Sequence, residues 1–167
     1  INSEEFNEKD FRDFFEYLAR TIIDIHKKED EWKELRDSSI QELTFPFDIL
    51  RKGQKELGEK ISQIIEDGKN LLLEAPTGTG KTVAILFPSI KYLPSCLYEK
   101  IFFLTAKTPG QNIVRETLQI FKEKGLHMRS VFLNAKEKMC FMGDCNCDPS
   151  LCKYAEGYYE KLPSAIE

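Results

Sequence analysis

The sequence predicts an α/β fold, a parallel sheet with helices on its faces. Three observations carry that prediction. Leu71–Leu73, Ile101–Leu104 and Val131–Leu133 are short unbroken apolar runs, the size of strands covered on both sides. Between them lie stretches with apolar residues three and four apart, as in helices. A glycine-rich turn, Ala75–Gly80, leads from the first run into the first of those stretches. Strand–helix–strand–helix–strand order then favours parallel pairing.

Taken in order, residues 4–30 read as a helix. Phe11, Phe14, Phe15, Leu18, Ile22 and Ile25 form one apolar stripe, better suited to packing than to ligand binding. Residues 29–42 are charged, carry the only tryptophan, Trp32, and read as a connection. Pro46 forces Phe45 towards extended geometry, so helix cannot run through Thr44–Phe47. A second helix is expected from Gly53 to Glu66, stopped by Asp67–Asn70. A third runs from Lys81 to Tyr92. A fourth runs from Pro109, a residue suited to a first helical position, to Lys124, with Gly125 as the stop after it. Cys96, beside Pro94, reads as a small buried hydrophobe.

Composition bounds the function. Of 167 residues, 41% are hydrophobic and 31% charged, which excludes a disordered tail. No apolar run approaches the roughly 18 residues needed to span a bilayer. The start, Ile1-Asn2-Ser3-Glu4-Glu5, is acidic and lacks the apolar core of a signal peptide, so a cytoplasmic location is expected. It also lacks Met, as in a fragment or processed product. The net charge of −4 gives no overall attraction to polyanions, but the charge is uneven. Residues 1–50 hold seven bases against fourteen acids, whereas residues 100–138 hold eight bases against three acids. A polyanion would meet the second stretch, although solvated helix faces explain the same pattern.

The strongest signal is Glu74-Ala75-Pro76-Thr77-Gly78-Thr79-Gly80-Lys81-Thr82. It matches the Walker A pattern G-x-x-x-x-G-K-[ST] between strand and helix, with Ala75 in place of the first glycine. Gly78 and Gly80 let successive amides converge on phosphate oxygens, and the helix that follows adds its positive end. Lys81 would bring a full charge to the β- and γ-phosphates, and the Thr82 hydroxyl would ligate Mg²⁺. Residues 75–82 are thus the candidate nucleotide-binding set, with Lys81 and Thr82 closest to the chemistry.

The surroundings of this loop resemble the XPD/DinG-type superfamily-two DNA helicases, closest to a bacterial DinG-like branch, over residues 45–167. Phe45–Gln54, F-P-F-D-I-L-R-K-G-Q, is similar to the Q motif of that family. The resemblance implies that Gln54 reads adenine through its amide, with Phe47 and Arg51 packed nearby, so that ATP is the nucleotide. Ile101–Gln111, I-F-F-L-T-A-K-T-P-G-Q, is similar to motif Ia, which implies DNA-backbone contacts from Thr105, Lys107, Thr108 and Gln111. A polar capping turn before the Pro109 helix accounts for the same residues. The implied fold is RecA-like. The implied activity is 5′-to-3′ translocation on single-stranded or forked DNA in repair, by a monomer with a preceding nuclease-like domain.

Cys140, Cys145, Cys147 and Cys152 resemble the iron–sulfur insertion of these helicases. Four thiolates suit a 4Fe–4S cluster, and the spacing lacks the C-x₂-C pairs of zinc knuckles. Cys145 is either the fourth ligand or a spectator to a cysteine further downstream. Zinc, or cysteines holding no metal, are the alternatives. Tyr154, Tyr158 and Tyr159 read as one helical face, for packing or for stacking on bases. The expected organisation is an acidic helix and linker over 1–43, a partial ATP-binding domain over 44–135 and a partial cluster region over 136–167. No Walker B box follows the P-loop, so this stretch alone is expected to bind nucleotide without turning it over. A P-loop small-molecule kinase and a non-catalytic, metal-stabilised nucleotide-binding adaptor are the other function classes.

Overall fold

A computed structural model describes residues 7–76, 78–135, 139–142 and 147–161. Its described residues contain four α-helices, one short 3₁₀ turn and no strand. The helices are α1, Glu8–Glu42; α2, Gln54–Asp67; α3, Lys81–Lys91; and α4, Thr108–Glu123. The 3₁₀ turn is Leu93–Ser95. None is long and apolar enough to cross a membrane. The chain divides into two compact units, residues 1–129 and 130–167.

In the first unit α3 is the central element. Val83, Ala84, Leu86 and Ile90 of α3 are buried together with Ile40 of α1 and Val114, Leu118 and Phe121 of α4. α2 lies against α3. A run of aromatic rings ties the layers together: Phe47 meets Phe45 at 6.1 Å, Phe45 meets Phe87 at 5.4 Å and Phe87 meets Phe121 at 6.2 Å. Such edge-on contacts add to the area they bury. They fix the segment before α2 against the middle of α3.

Two expectations are corrected. The sheet is not formed among the described residues: Leu71–Leu73, Ile101–Leu104 and Val131–Leu133 carry no ladder. Leu72, Phe102 and Leu104 are 100%, 82% and 89% exposed. Parallel pairing is non-local, because each strand bonds only to neighbours remote in sequence. Without a ladder, most of the apolar side chains in these runs stay exposed.

The second correction concerns α1, which continues through the charged segment read as a connection. Asn7 Oδ1 caps its start by accepting from the Asp10 amide at 2.9 Å. Its far end is held by docking. Arg36, Ser39 and Ile40 are buried, and Ser39 Oγ accepts from the His127 amide at 2.9 Å. The Trp32 ring has the Arg36 guanidinium 5.2 Å and the Arg129 guanidinium 4.3 Å from its centre, and Arg129 pairs with Glu29 at 3.0 Å. The last turn of α1 contains no base. Lys91 of α3 supplies one: its Nζ donates to the carbonyls of Ile40 at 2.7 Å, Gln41 at 3.0 Å and Leu43 at 3.1 Å. They lie at the helix end, where intrahelical donors run out, although Ile40 O also accepts from the Leu43 amide at 3.2 Å.

In the second unit, Ser150 donates to Asp148 Oδ1 from its amide at 2.9 Å and its hydroxyl at 2.6 Å. The Ser150 hydroxyl, then its amide, hold the Asp148 carboxyl below the usual range. Phe141 packs on Tyr154 at 5.5 Å. The expected tyrosine face is corrected as well, since only residues 158–161 are helical there and Tyr154 lies in a turn.

Candidate nucleotide site

Gly78 and Gly80 adopt φ of 78° and 73°, the left-handed region that side chains disfavour. Gly80 is the N-cap of α3, with no side chain bonded over the helix end and no acid in its first turn. The first-turn amides of α3 therefore face the loop together with the positive end of the helix. Thr82, half-buried, is the second residue of α3. The Lys81 ammonium is drawn back over the loop, donating to the carbonyls of Ala75 at 2.9 Å and of Pro76. Thr79 Oγ1 donates to Pro76 O at 3.0 Å and tightens the turn. Thr77 lies outside the described residues.

The segment before α2 reaches the same loop. Gln54 is buried; its Oε1 accepts from the Arg51 amide at 2.7 Å and its Nε2 donates to Gly80 O at 3.3 Å. The Arg51 guanidinium donates to Gly78 O. Sequence reading gave Arg51 only a packing role, and no pattern marks a guanidinium that binds a carbonyl 27 residues away. Gln54 keeps one N–H and one oxygen lone pair uncommitted to these two bonds. A groove of about 500 Å³ opens between α2 and α3 beside it, lined in part by Phe45, Gly58, Ser62, Ala84 and Phe87.

The motif Ia residues gather at the start of α4. Thr105, Lys107 and Thr108 are exposed, and Gln111 is half-buried in the first turn. Lys107 is the N-cap without a side-chain cap bond, and the first turn again contains no acid. A Cβ on Gly110 would lie 3.3 Å from Thr105 Cβ and Cγ2, so glycine permits the loop to close on the helix.

Among the described residues, Cys140, Cys147 and Cys152 do not converge as a metal-binding group. Cys145 lies outside the described residues. Cys152 is buried, Cys147 exposed and Cys140 half-buried, with its thiol 2.9 Å from the Met142 carbonyl. Among the described residues no three His, Cys, Asp or Glu side chains converge as metal ligands. Cys96 is exposed rather than buried, at φ 60° where the 3₁₀ turn ends.

Comparison with known proteins points one way. The chain is 30% identical over 92 residues, 55% of its length, to a protein of Methanocaldococcus jannaschii named as a probable ATP-dependent helicase, covering 13% of that protein. Over 49 residues, 29% of the chain, it is 43% identical to a regulator of telomere elongation helicase 1 homolog of Drosophila ananassae, covering 5% of it. Over 66 residues, 39% of the chain, it is 32% identical to a Bacillus subtilis protein named as a probable ATP-dependent RNA helicase, covering 17% of it. The chain thus spans a small part of the length of these relatives. No solved structure matches. Residues 52–142, over half of the chain, match the DEAD/DEAH box helicase family and take in α2, the phosphate loop, α3 and α4; the chain belongs to that family.

Proposed function

We propose that this chain is the nucleotide-binding part of the first, RecA-like motor domain of an ATP-dependent DNA helicase of the XPD/DinG type. One observation carries the reading. The uncapped start of α3, the Lys81 ammonium and the two left-handed glycines lie on one loop, which Arg51 and Gln54 grip from the side. Amides, an ammonium and a hydroxyl there suit a triphosphate with Mg²⁺. Phosphate oxygens would replace the Ala75 and Pro76 carbonyls as partners of Lys81. Gln54 would offer its remaining donor and acceptor to adenine. Thr105, Lys107, Thr108 and Gln111 would hold DNA phosphates, a grip that carries no sequence information.

The four-cysteine cluster stands on spacing alone, and no step of the mechanism passes through it. Iron and sulfide analysis of anaerobically prepared protein tests it: stoichiometric iron with a visible absorption band supports the cluster, and zinc or no metal overturns it.

The test of function is ATP turnover by the protein carrying this chain, with and without single-stranded DNA, beside Lys81→Ala. Strong stimulation by DNA, abolished by the substitution, is expected. Stimulation by RNA alone overturns the DNA assignment. DNA-independent phosphorylation of a small molecule favours the kinase class, and binding without turnover favours the adaptor. Unchanged turnover in Lys81→Ala overturns the site.

A further inference from the structure

Arg51 lies outside the residue pattern that marks the phosphate loop, yet its side chain reaches that loop. Its backbone is fixed first. The Arg51 amide donates to Gln54 Oε1 at 2.7 Å, and the Arg51 carbonyl accepts from the Gln54 amide at 3.0 Å. Gly53, at φ 83°, lets the chain turn between them. The guanidinium then crosses to the loop and donates to Gly78 O. Among the described residues no acid pairs with it, and this carbonyl is its hydrogen-bond partner.

Two peptide planes of the loop are thereby gripped on their carbonyl sides. Arg51 holds the plane between Gly78 and Thr79. Gln54 Nε2 holds the plane between Gly80 and Lys81, whose carbonyl also accepts from the Ala84 amide at 3.2 Å. In a trans peptide the N–H points opposite to the C=O within one plane. A hold on Gly78 O therefore turns the Thr79 amide away from Arg51. That amide has no acceptor among the described residues. The second plane is also steadied by the first turn of α3. The first plane is not: Gly78 sits at φ 78° with open space where a Cβ would lie, and a glycine peptide there reorients at little cost.

We infer that Arg51 is a positioning residue of the nucleotide site. Its guanidinium holds the Gly78 carbonyl outward, so that the Thr79 amide is aimed at the phosphate chain of a nucleoside triphosphate before the ligand arrives. The inference rests on the proposed nucleotide site and adds to it a residue that touches the loop rather than the ligand. An amide aimed in advance spares binding the cost of ordering the loop. Arg51 thus serves the phosphate end, whereas the free donor and acceptor of Gln54 serve the base.

Competition against a labelled adenine nucleotide tests it, on the protein carrying this chain, with magnesium and with ATP or inorganic triphosphate as competitor. Arg51→Met keeps an apolar stem and removes the donor. It should weaken both competitors alike, roughly 5- to 10-fold, the net contribution of one hydrogen bond. Arg51→Lys keeps a charged donor and should recover most of the loss for both. Circular dichroism should show unchanged helix in both variants, because the side chain is exposed. A loss confined to ATP overturns the inference, since Arg51 would then read the base. So does a lysine variant no better than methionine. Lys81→Ala in the same assay separates the site from its positioning. A defect in Lys81→Ala beside unchanged affinities in Arg51→Met overturns the role of Arg51 alone, whereas an indifferent Lys81→Ala overturns the site itself.

Discussion

Removing the ammonium that closes α1 should loosen its hold on the first unit. The perturbation is Lys91→Met, which keeps an apolar stem and loses three bonds, to Ile40, Gln41 and Leu43. The Ile40 and Leu43 bonds are partly buried, and the Gln41 bond is exposed. A partly buried charged hydrogen bond contributes about 1–1.5 kcal/mol net, and the exposed one adds little. The favourable field of a cation at a helix C-terminus is partly counted in those bonds. The expected loss is therefore about 2–3 kcal/mol. Trp32 lies about two helical turns before Ile40, beside Arg36 and Arg129, and its emission reports whether α1 is docked. Urea unfolding followed by that emission should show the midpoint falling by about 1–2 M, for a slope of about 1.5–2 kcal/mol per M. Lys91→Arg should recover part of the loss. A change below about 0.5 kcal/mol, or an arginine variant no better than methionine, would refute the assignment of Lys91 as the cap.

Gly80→Ala would place a Cβ 2.2 Å from Gln54 Nε2 at φ 73°. The Gln54 side chain can swing away, but the backbone conformation costs about 1–2 kcal/mol. Binding of a labelled adenine nucleotide should weaken roughly 10-fold, read by fluorescence titration, and unaltered binding would count against the loop geometry. Gln54→Ala removes the bonds to the Arg51 amide and Gly80 O, and should weaken ATP more than it weakens inorganic triphosphate. Equal losses for the two ligands would argue that Gln54 only braces the loop. Tyr98 is pushed up to about 12, by burial first and then by neighbouring Tyr92. Its contribution to stability is complete below its ordinary value near pH 10 and is lost as pH climbs from there towards 12. Absorbance titration near 295 nm should show a late tyrosinate step that Tyr98→Phe deletes.

The helices were readable from sequence because their signals are local. Gly68 and Gly125 end α2 and α4 where their positions predicted, and Val114, Leu118 and Phe121 are buried in register. The phosphate loop was readable because its chemistry demands residue types at fixed offsets within nine positions. The continuation of α1 through residues 29–42 was not. That stretch looks like a solvated connection until Trp32 and Ser39 find partners at Arg129 and His127. Lys91 was equally silent, since nothing local links it to carbonyls about 50 residues earlier. The apolar runs illustrate the converse. Composition can mark Leu71–Leu73 and Ile101–Leu104 as strand-like, but a ladder belongs to pairs of segments. The cysteine spacing likewise names candidate ligands without gathering them.

α3 serves at both of its tips. Its leading residues, Lys81 and Thr82, belong to the phosphate loop, and its last, Lys91, anchors the long helix through main-chain oxygens. Midway, Phe87 joins the aromatic ladder. Eleven residues thus couple two properties that an experimenter would wish to vary independently. A lesion anywhere along this strut can masquerade as its opposite: a weakened anchor would mimic poor ligand uptake, and a disturbed loop would mimic a folding defect. Screens for inactive variants in this region will sort cleanly only when ligand uptake and the tryptophan signal are scored on the same sample.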